Sequence, residues 1–275
     1  MDFSVLMSVY GKDEVEDFNQ SLQSVTLAQT QKPKQVVIVQ DGVVPSAIDD
    51  VIDAISKQAP EIEFSVLKKE TNQGLAAALN SGLELCKYEW VARMDSDDIA
   101  TPDRFEKQVA FLEDHPEVSV LGGAIAEFEN QIGDIQSERR VGLTHEEITQ
   151  MAKSRTPMNH VSVIYQKSAV LEVGGYCENF GKLEDYKLWV DLIVAGKIFA
   201  NLDDIIVNVR IGKGFIERRS NKSEIQDWDM LQKYLLENKV ITKRKAFVNK
   251  MYIRTFIYMP GWMKKIAYKT VLRKK

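Results

Sequence analysis

The chain has 275 residues, 44% of them hydrophobic and 28% charged, with a formal net charge of −4; this excludes a disordered or collagen-like chain and fits one large domain, or a domain with an appendage. Two cysteines far apart, Cys86 and Cys177, exclude a disulfide framework and a zinc spacing and predict reduced thiols in a cytosolic protein. No apolar run reaches the ~18 residues of a membrane-spanning helix, and Met1-Asp2-Phe3-Ser4 leads into strand-like sequence with no signal peptide.

Phe3 to Tyr10 is apolar and β-branched and predicts a buried strand, broken by Gly11-Lys12-Asp13. A helical pattern follows through Leu22, Val25 and Leu27. Gln35 to Val39 predicts a second buried strand ending at Asp41-Gly42, Ile48 to Ile55 a helix, and Ile62 to Leu67 a third strand. Asn72-Gln73-Gly74 forms a loop before a helix over 75–85, and Glu89 to Met94 is a fourth strand ending on Asp95-Ser96-Asp97-Asp98. Strands and helices alternating at this length imply β-α-β units and a mostly parallel α/β sheet flanked by helices. Ligands of such sheets bind at the carboxyl ends of strands, where Asp41 and the Asp95 cluster fall.

Further along, a helix is expected over 102–113, with Thr101 as N-cap and Pro102 at its first position. Strands are expected over 118–128, 161–165 and 205–211, helices over 144–153, 183–195 and 225–237, and a turn at Gly174-Gly175. Residues 212–221 form a charged, glycine-bearing loop.

The last stretch differs in charge from the rest. Residues 243–275 hold 11 Lys or Arg and no Asp or Glu, interleaved with Phe247, Tyr252, Phe256, Trp262 and Tyr268, and Pro260-Gly261 splits them into two expected helices. The expected division is a domain over 1–242 and a basic amphipathic helical extension over 243–275. That composition reads as an anchor to an anionic membrane surface, with packing on the domain's own acidic surface as the alternative. Nothing in the main domain resembles a nucleic-acid module, so no nucleic-acid partner is expected.

Three carboxylates within four residues, directly after a buried strand, carry the chemistry. Like charges this close repel unless a cation sits among them, and Mg²⁺ or Mn²⁺ takes such oxygen ligands. The tetrapeptide alone fits a solvated acidic turn equally well; the buried strand and the Arg93-Met94 lead-in favour the cation. Asp41 alone reads as a turn former, the small residues of 72–82 as helix–sheet packing, and Glu184-Asp185 as acids favoured by a helix N-terminus.

Together, SVLMSVYGKD at 4–13, VIVQDG at 37–42, NQGLAAALNSG at 72–82, VARMDSDDIATPDRFEKQ at 91–108, NHVSVIYQKSAVLEVGGY at 159–176 and EDYKLW at 184–189 resemble the family 2 glycosyltransferases. The resemblance covers roughly the first 210 residues, in the family's order and spacing. Gly42-Val43-Val44 departs from the family's usual turn, so no hydrogen bonds are assumed there.

The resemblance implies a GT-A fold and an inverting transfer from a nucleotide-diphosphate sugar, with UDP as the expected nucleotide. The implied acceptor is a glycan or polyprenyl-diphosphate-linked saccharide of surface polysaccharide synthesis, including lipopolysaccharide. The implied setting is cytoplasmic, at the inner face of the plasma membrane. Tyr10, Asp41, Asn72, Arg93, Asp95 and Ser96 are the implied nucleotide-sugar pocket, and Asp97 the ligand of Mn²⁺ or Mg²⁺. Asp98 would orient the metal or the donor sugar, and His160 would lie on the acceptor side. Arg104 would pair with the acidic cluster or substrate, or be an exposed helix charge. Asp185 is the implied general base with Glu184 beside it. Arg218 and Arg219 suit bidentate contacts to the diphosphate. A nucleotidyltransferase is the alternative enzyme, disfavoured by the absence of a glycine-rich basic loop after the first strand. An inactive binding subunit is the other alternative, disfavoured by the intact acidic motifs.

Overall fold

The computed structural model describes residues 1–212, 224–261 and 263–264. The elements run β1 (Phe3–Tyr10), α1 (Val15–Ser24), β2 (Gln35–Asp41), α2 (Ser46–Gln58), β3 (Glu63–Lys68), α3 (Leu75–Leu85), β4 (Trp90–Met94) and β5 (Ile99–Ala100). Then come α4 (Arg104–Asp114), β6 (Val118–Phe128), β7 (Glu138–Arg139), α5 (His145–Met151), β8 (Ile164–Gln166), α6 (Lys167–Glu172), α7 (Glu184–Val194), β9 (Ile198–Arg210), α8 (Glu224–Glu237) and α9 (Lys243–Tyr258).

Among the described residues these strands form one sheet in the order β3-β2-β1-β4-β8-β6-β9-β5, with β7 beside β6. The pairs β3-β2, β2-β1, β1-β4 and β6-β9 are parallel, whereas β8 runs antiparallel to both β4 and β6. The first four strands are therefore the expected parallel β-α-β half.

The period-2 alternation of β1 divides the core. Val5, Met7 and Val9 face one layer with Phe18, Ile52 and Phe105, while Leu6 faces the other with Leu79, Trp189 and Leu192. The small residues of α3 let it lie close on the sheet. A Cβ on Gly82 would come within 2.4 Å of Leu6 Cδ1 and 2.8 Å of Val39 Cγ2.

Four local expectations need correction. Helix α4 begins at Arg104, after Asp103, rather than at Pro102. Thr101 is not its cap: its hydroxyl bonds the Asp103 carboxylate at 2.8 Å. The strand expected over 161–165 is a 3₁₀ turn at His160–Ser162 followed by the short β8, because Ser162 N closes a turn on Asn159 O at 2.8 Å. Strand β9 starts at Ile198, seven residues early; Asn201, Asp203 and Asp204 interrupt the hydrophobic run, and the pairing with β6 is irregular there.

The boundary expected after residue 242 is not a break in packing. Ala246 of α9 joins Tyr186 and Val190 of α7 and Leu231 and Leu235 of α8 in a third apolar cluster. Asn249 donates to Gln232 Oε1 and to the Lys153 carbonyl, each at 2.8 Å. Helix α9 is thus docked on the domain.

Candidate active site

The site gathers at the carboxyl ends of β1, β2 and β4 and the head of α7. Strand β4 brings in Arg93, whose buried guanidinium pairs with the Asp95 carboxylate. Burial alone would weaken that charge, but the Asp95 carboxylate more than offsets it and holds Arg93 above its ordinary value. Asp95 itself is half-exposed. Ser96 donates to Asp13 Oδ2 at 2.7 Å, and Tyr10 N donates to the same oxygen at 3.0 Å, so the end of β1 is tied to the acidic loop. The Tyr10 side chain is exposed at the rim.

Asp97 is exposed, yet its carboxyl is pushed up to about 7. Desolvation by the protein around that carboxyl is the larger part of the rise, and the negative charge of Asp95 and Asp13 beside it adds the rest. Among the described residues no three His, Cys, Asp or Glu side chains form a metal cage. Asp97, with Asp95 beside it, fits a hard cation that takes one or two carboxylates and completes its shell with phosphate and water.

Two expected contacts are absent. Asp98 is buried, and its Oδ1 accepts from Arg210 N at 2.8 Å; burial and its two acidic neighbours push it well above the carboxylate range. It anchors the end of β9 rather than facing a ligand. Arg104 is fully buried, neither an exposed charge nor a substrate contact. Its guanidinium donates to the Arg93 carbonyl at 2.8 Å and to Gln108 Oε1 at 3.1 Å, and burial lowers it to about 9. Arg104 therefore braces the backbone of β4 beneath the site.

Asp41 lies buried at the end of β2, and its two carboxylate oxygens accept from the backbone amides of Gln73 at 2.8 Å and Gly74 at 2.9 Å. Asn72 donates its side-chain amide to the Asp41 carbonyl at 3.2 Å. Gly42 adopts φ 89°, and a Cβ there would meet Asn72 N at 2.7 Å. These contacts fix the loop that opens α3.

Glu184 and Asp185 open α7, which Trp189, fully buried, anchors in the core. Glu184 is buried, and among the described residues its Oε2 has no hydrogen-bond partner. Burial first, then the Asp185 carboxylate, pushes Glu184 up to about 7, and the charges of Arg93 and Asp95 also reach it. Asp185 is half-exposed, with its Oδ1 accepting from Tyr186 N at 2.6 Å and the Thr156 hydroxyl 3.5 Å from its Oδ2. Glu184 lines an open groove of about 290 Å³ with Gln73, Gly74 and Lys182, so the heads of α3 and α7 face each other across it.

His160 Nε2 lies 2.9 Å from the Tyr176 hydroxyl, its ring set against Tyr176 and Trp189. Burial holds it well below the usual histidine range. Asn80 on α3 clamps Tyr176 through both backbone groups at 2.8 Å. Gly175 must be small here: it has φ 75°, and a Cβ would lie 2.6 Å from Asn80 Oδ1.

Arg218 and Arg219 lie outside the described residues. Two other residues escaped the sequence reading. Asp13 was visible as the acid of the first strand's end. Arg210 gave no signal, because only the register of β9 brings it to the site. It donates to the Asp97 carbonyl at 3.1 Å and to Gln20 Oε1 at 3.0 Å, and pairs with Asp17 at 3.1 Å, clamping the acidic loop against α1.

The chain matches Glycosyl transferase family 2 over residues 4–175. An uncharacterized glycosyltransferase of Haemophilus influenzae is 43% identical over 238 residues, 86% of each chain. The amylovoran biosynthesis glycosyltransferase AmsE of Erwinia amylovora is 37% identical over 82% of this chain and 83% of its own. An Escherichia coli UDP-Gal:alpha-D-GlcNAc-diphosphoundecaprenol beta-1,3-galactosyltransferase is 32% identical over 99% of this chain and 97% of its own. Among solved structures, S. aureus TarS 1-349 in complex with UDP-GlcNAc superposes with a TM-score of 0.66 at 16% identity, covering 99% of this chain and 77% of that one. The mannosyltransferase PcManGT from Pyrobaculum calidifontis, in complex with GDP-Man and Mn2+, gives 0.65 at 14% identity, covering 98% and 82%. The fold is that of the GT-A glycosyltransferases, and the chain belongs to glycosyl transferase family 2.

Proposed function

We propose that this enzyme is a metal-dependent, inverting hexosyltransferase that uses a UDP-sugar. Its acceptor would be a saccharide, free or carried on polyprenyl diphosphate, in the assembly of a surface polysaccharide at the cytoplasmic face of the membrane. One observation carries the reading: the acidic loop after β4, paired to Arg93 through Asp95, and the acidic pair at the head of α7 lie near enough for Arg93 and Asp95 to act on Glu184, which shares a groove with the Gln73-Gly74 turn held by Asp41. The name of the Escherichia coli relative supports a lipid-linked saccharide acceptor and a UDP-sugar, that of AmsE supports polysaccharide synthesis, and the UDP-GlcNAc and GDP-Man of the solved neighbours support a nucleotide-sugar donor.

On this reading the donor lies along the carboxyl ends of β1, β2 and β4. The loop fixed by Asp41 shapes the pocket wall, and Tyr10 closes the rim. Asp97, with Asp95, would hold Mn²⁺ or Mg²⁺, which offsets the charge of the departing nucleoside diphosphate. Asp185 takes the proton of the acceptor hydroxyl as that oxygen attacks the anomeric carbon. The nucleoside diphosphate leaves from the opposite face, so a single displacement inverts the anomeric centre. Glu184, buried beside Asp185, lines the groove through which a saccharide reaches the base.

The test is incubation with UDP-sugars and Mn²⁺, with UDP release and the anomeric configuration of the product measured by NMR. An α-linked donor giving a β-linked product is expected. A retained α-linkage would overturn the single displacement, and pyrophosphate in place of UDP would favour nucleotidyl transfer.

A further inference from the structure

Helix α9 has two faces of different character. Its inward face carries Ala246, Asn249 and Ile257, all buried against the domain. Lys250 and Arg254 on its flank are both paired with Asp229 of α8, at 3.5 and 2.6 Å. Its outward face carries Phe247, Val248, Met251, Tyr252, Thr255 and Tyr258, and its only charge along that row is Arg244 in the first turn. Phe247 is 66% exposed, Met251 53% and Tyr252 56%. Scattered exposed apolar residues need no explanation, but a contiguous aromatic and aliphatic helix face marks a docking surface.

What covers that face follows from the charges at its end. The first turn of α9 holds Lys243, Arg244 and Lys245 and no acid. Cations there oppose the helix dipole, so this end of α9 concentrates positive potential at a cost to its own stability. Beside it lies a groove of about 690 Å³, lined by Lys153, Lys239 and Lys245 over Leu236, Val240 and Ile241. Among the described residues no ion pair engages Lys239, Lys243, Arg244 or Lys245. In sequence, the stretch from 243 to 275 contains no Asp or Glu. A second copy of this chain would bring the same unbalanced cations to the contact. An anionic bilayer instead relieves them, while its interface accepts the aromatic face.

We infer that α9 lies flat in the surface of an anionic bilayer: its outward face enters the headgroup boundary, and the lysine groove beside its first turn receives anionic headgroups. Lys250 and Arg254 take no part, because Asp229 holds them. The inference stands on α9 and its groove, independent of the donor and acceptor assigned above.

The test uses the full chain and vesicles of phosphatidylglycerol with phosphatidylcholine, or phosphatidylcholine alone, at low and high salt. Wild type is expected to sediment with the anionic vesicles, more weakly in high salt, and poorly with neutral ones. Val248→Gln, Met251→Gln and Tyr252→Gln together should weaken anionic binding at least about tenfold. Lys239→Gln with Lys245→Gln should flatten the salt dependence. Neither set touches the cleft, so UDP-sugar turnover in solution should persist in both. Hydrogen exchange of the wild type with and without anionic vesicles is the check that needs no variant, with protection expected over 239–258. Unchanged binding by the triple variant, or no protection over those residues, would overturn the inference. So would a wild-type dimer that the triple variant abolishes while vesicle binding is absent.

Discussion

At the head of α7, two adjacent carboxyls sit in different surroundings. Asp185 reaches solvent and so can meet an acceptor hydroxyl, whereas Glu184 is buried with one oxygen unpartnered among the described residues. Asp185→Asn keeps the shape and loses the basicity. Turnover should fall by about 2–4 powers of ten with nucleotide affinity nearly unchanged; calorimetry showing an equal loss of UDP affinity would place Asp185 on the donor instead. Glu184 makes a separate prediction about pH. Its folded value, about 7, lies above the ordinary 4.5, so folding favours its protonated form. That contribution is fully present below the ordinary value and is lost as pH rises through about 7. Glu184→Gln should therefore melt close to wild type near about pH 5 and roughly 3–8 °C above it near about pH 8. Parallel melting curves for the two proteins across that range would show that Glu184 carries no such burden.

Between residue and fold stand the elements that hold the acidic loop. Arg210 ends β9 and grips the loop through the Asp97 carbonyl, while Asp98 grips back through Arg210 N. Replacing Arg210 with Met keeps an unbranched stem and removes the guanidinium, whose carbon lies 4.7 Å from the Phe128 ring centroid. Mn²⁺ affinity should fall about tenfold or more, the usual effect of losing a group that orients a ligand; unchanged affinity in a titration would show a loop rigid without the clamp. Helix α3 gives the opposite kind of case, legible from sequence to its exact ends. Its small residues predicted close packing on the sheet, and Gly82 supplies it. Gly82→Val should cost about 1–3 kcal/mol by overpacking against Leu6 and Val39, read as a shift in denaturant midpoint. The roles of Asp98 and Arg104 were not legible, because a motif gives residue type and spacing but not which way a side chain turns. Asp98 and Asp97 are neighbours, yet one is buried and the other exposed. Arg104 read equally as a partner of the acidic cluster or substrate and as an exposed helix charge, and it is neither, because it is buried beneath β4 and donates to the Arg93 carbonyl.

For the molecule as a whole, the charge of the last stretch was visible in composition, but its docking was not. The inward face of α9 is Ala246, Asn249 and Ile257, too mixed to show an apolar stripe, and only the partner helices reveal it. A chain cut after Glu237 should therefore lose about 2–4 kcal/mol from the uncovered cluster of Tyr186, Val190, Leu231 and Leu235. Thermal melting of the two lengths checks this, and equal stability would mean that α9 contributes no packing. The two acidic motifs were legible in order and spacing, while their meeting around Arg93 required the fold. That meeting is the centre of the account, and release of nucleoside diphosphate from UDP-sugars in the presence of acceptor tests it most directly. Wild type with Mn²⁺ should release UDP, and both a chelator and Asp97→Ala should reduce release to background. Full release in chelator, or by Asp97→Ala, would contradict the assignment of Asp97 and the reading built on it.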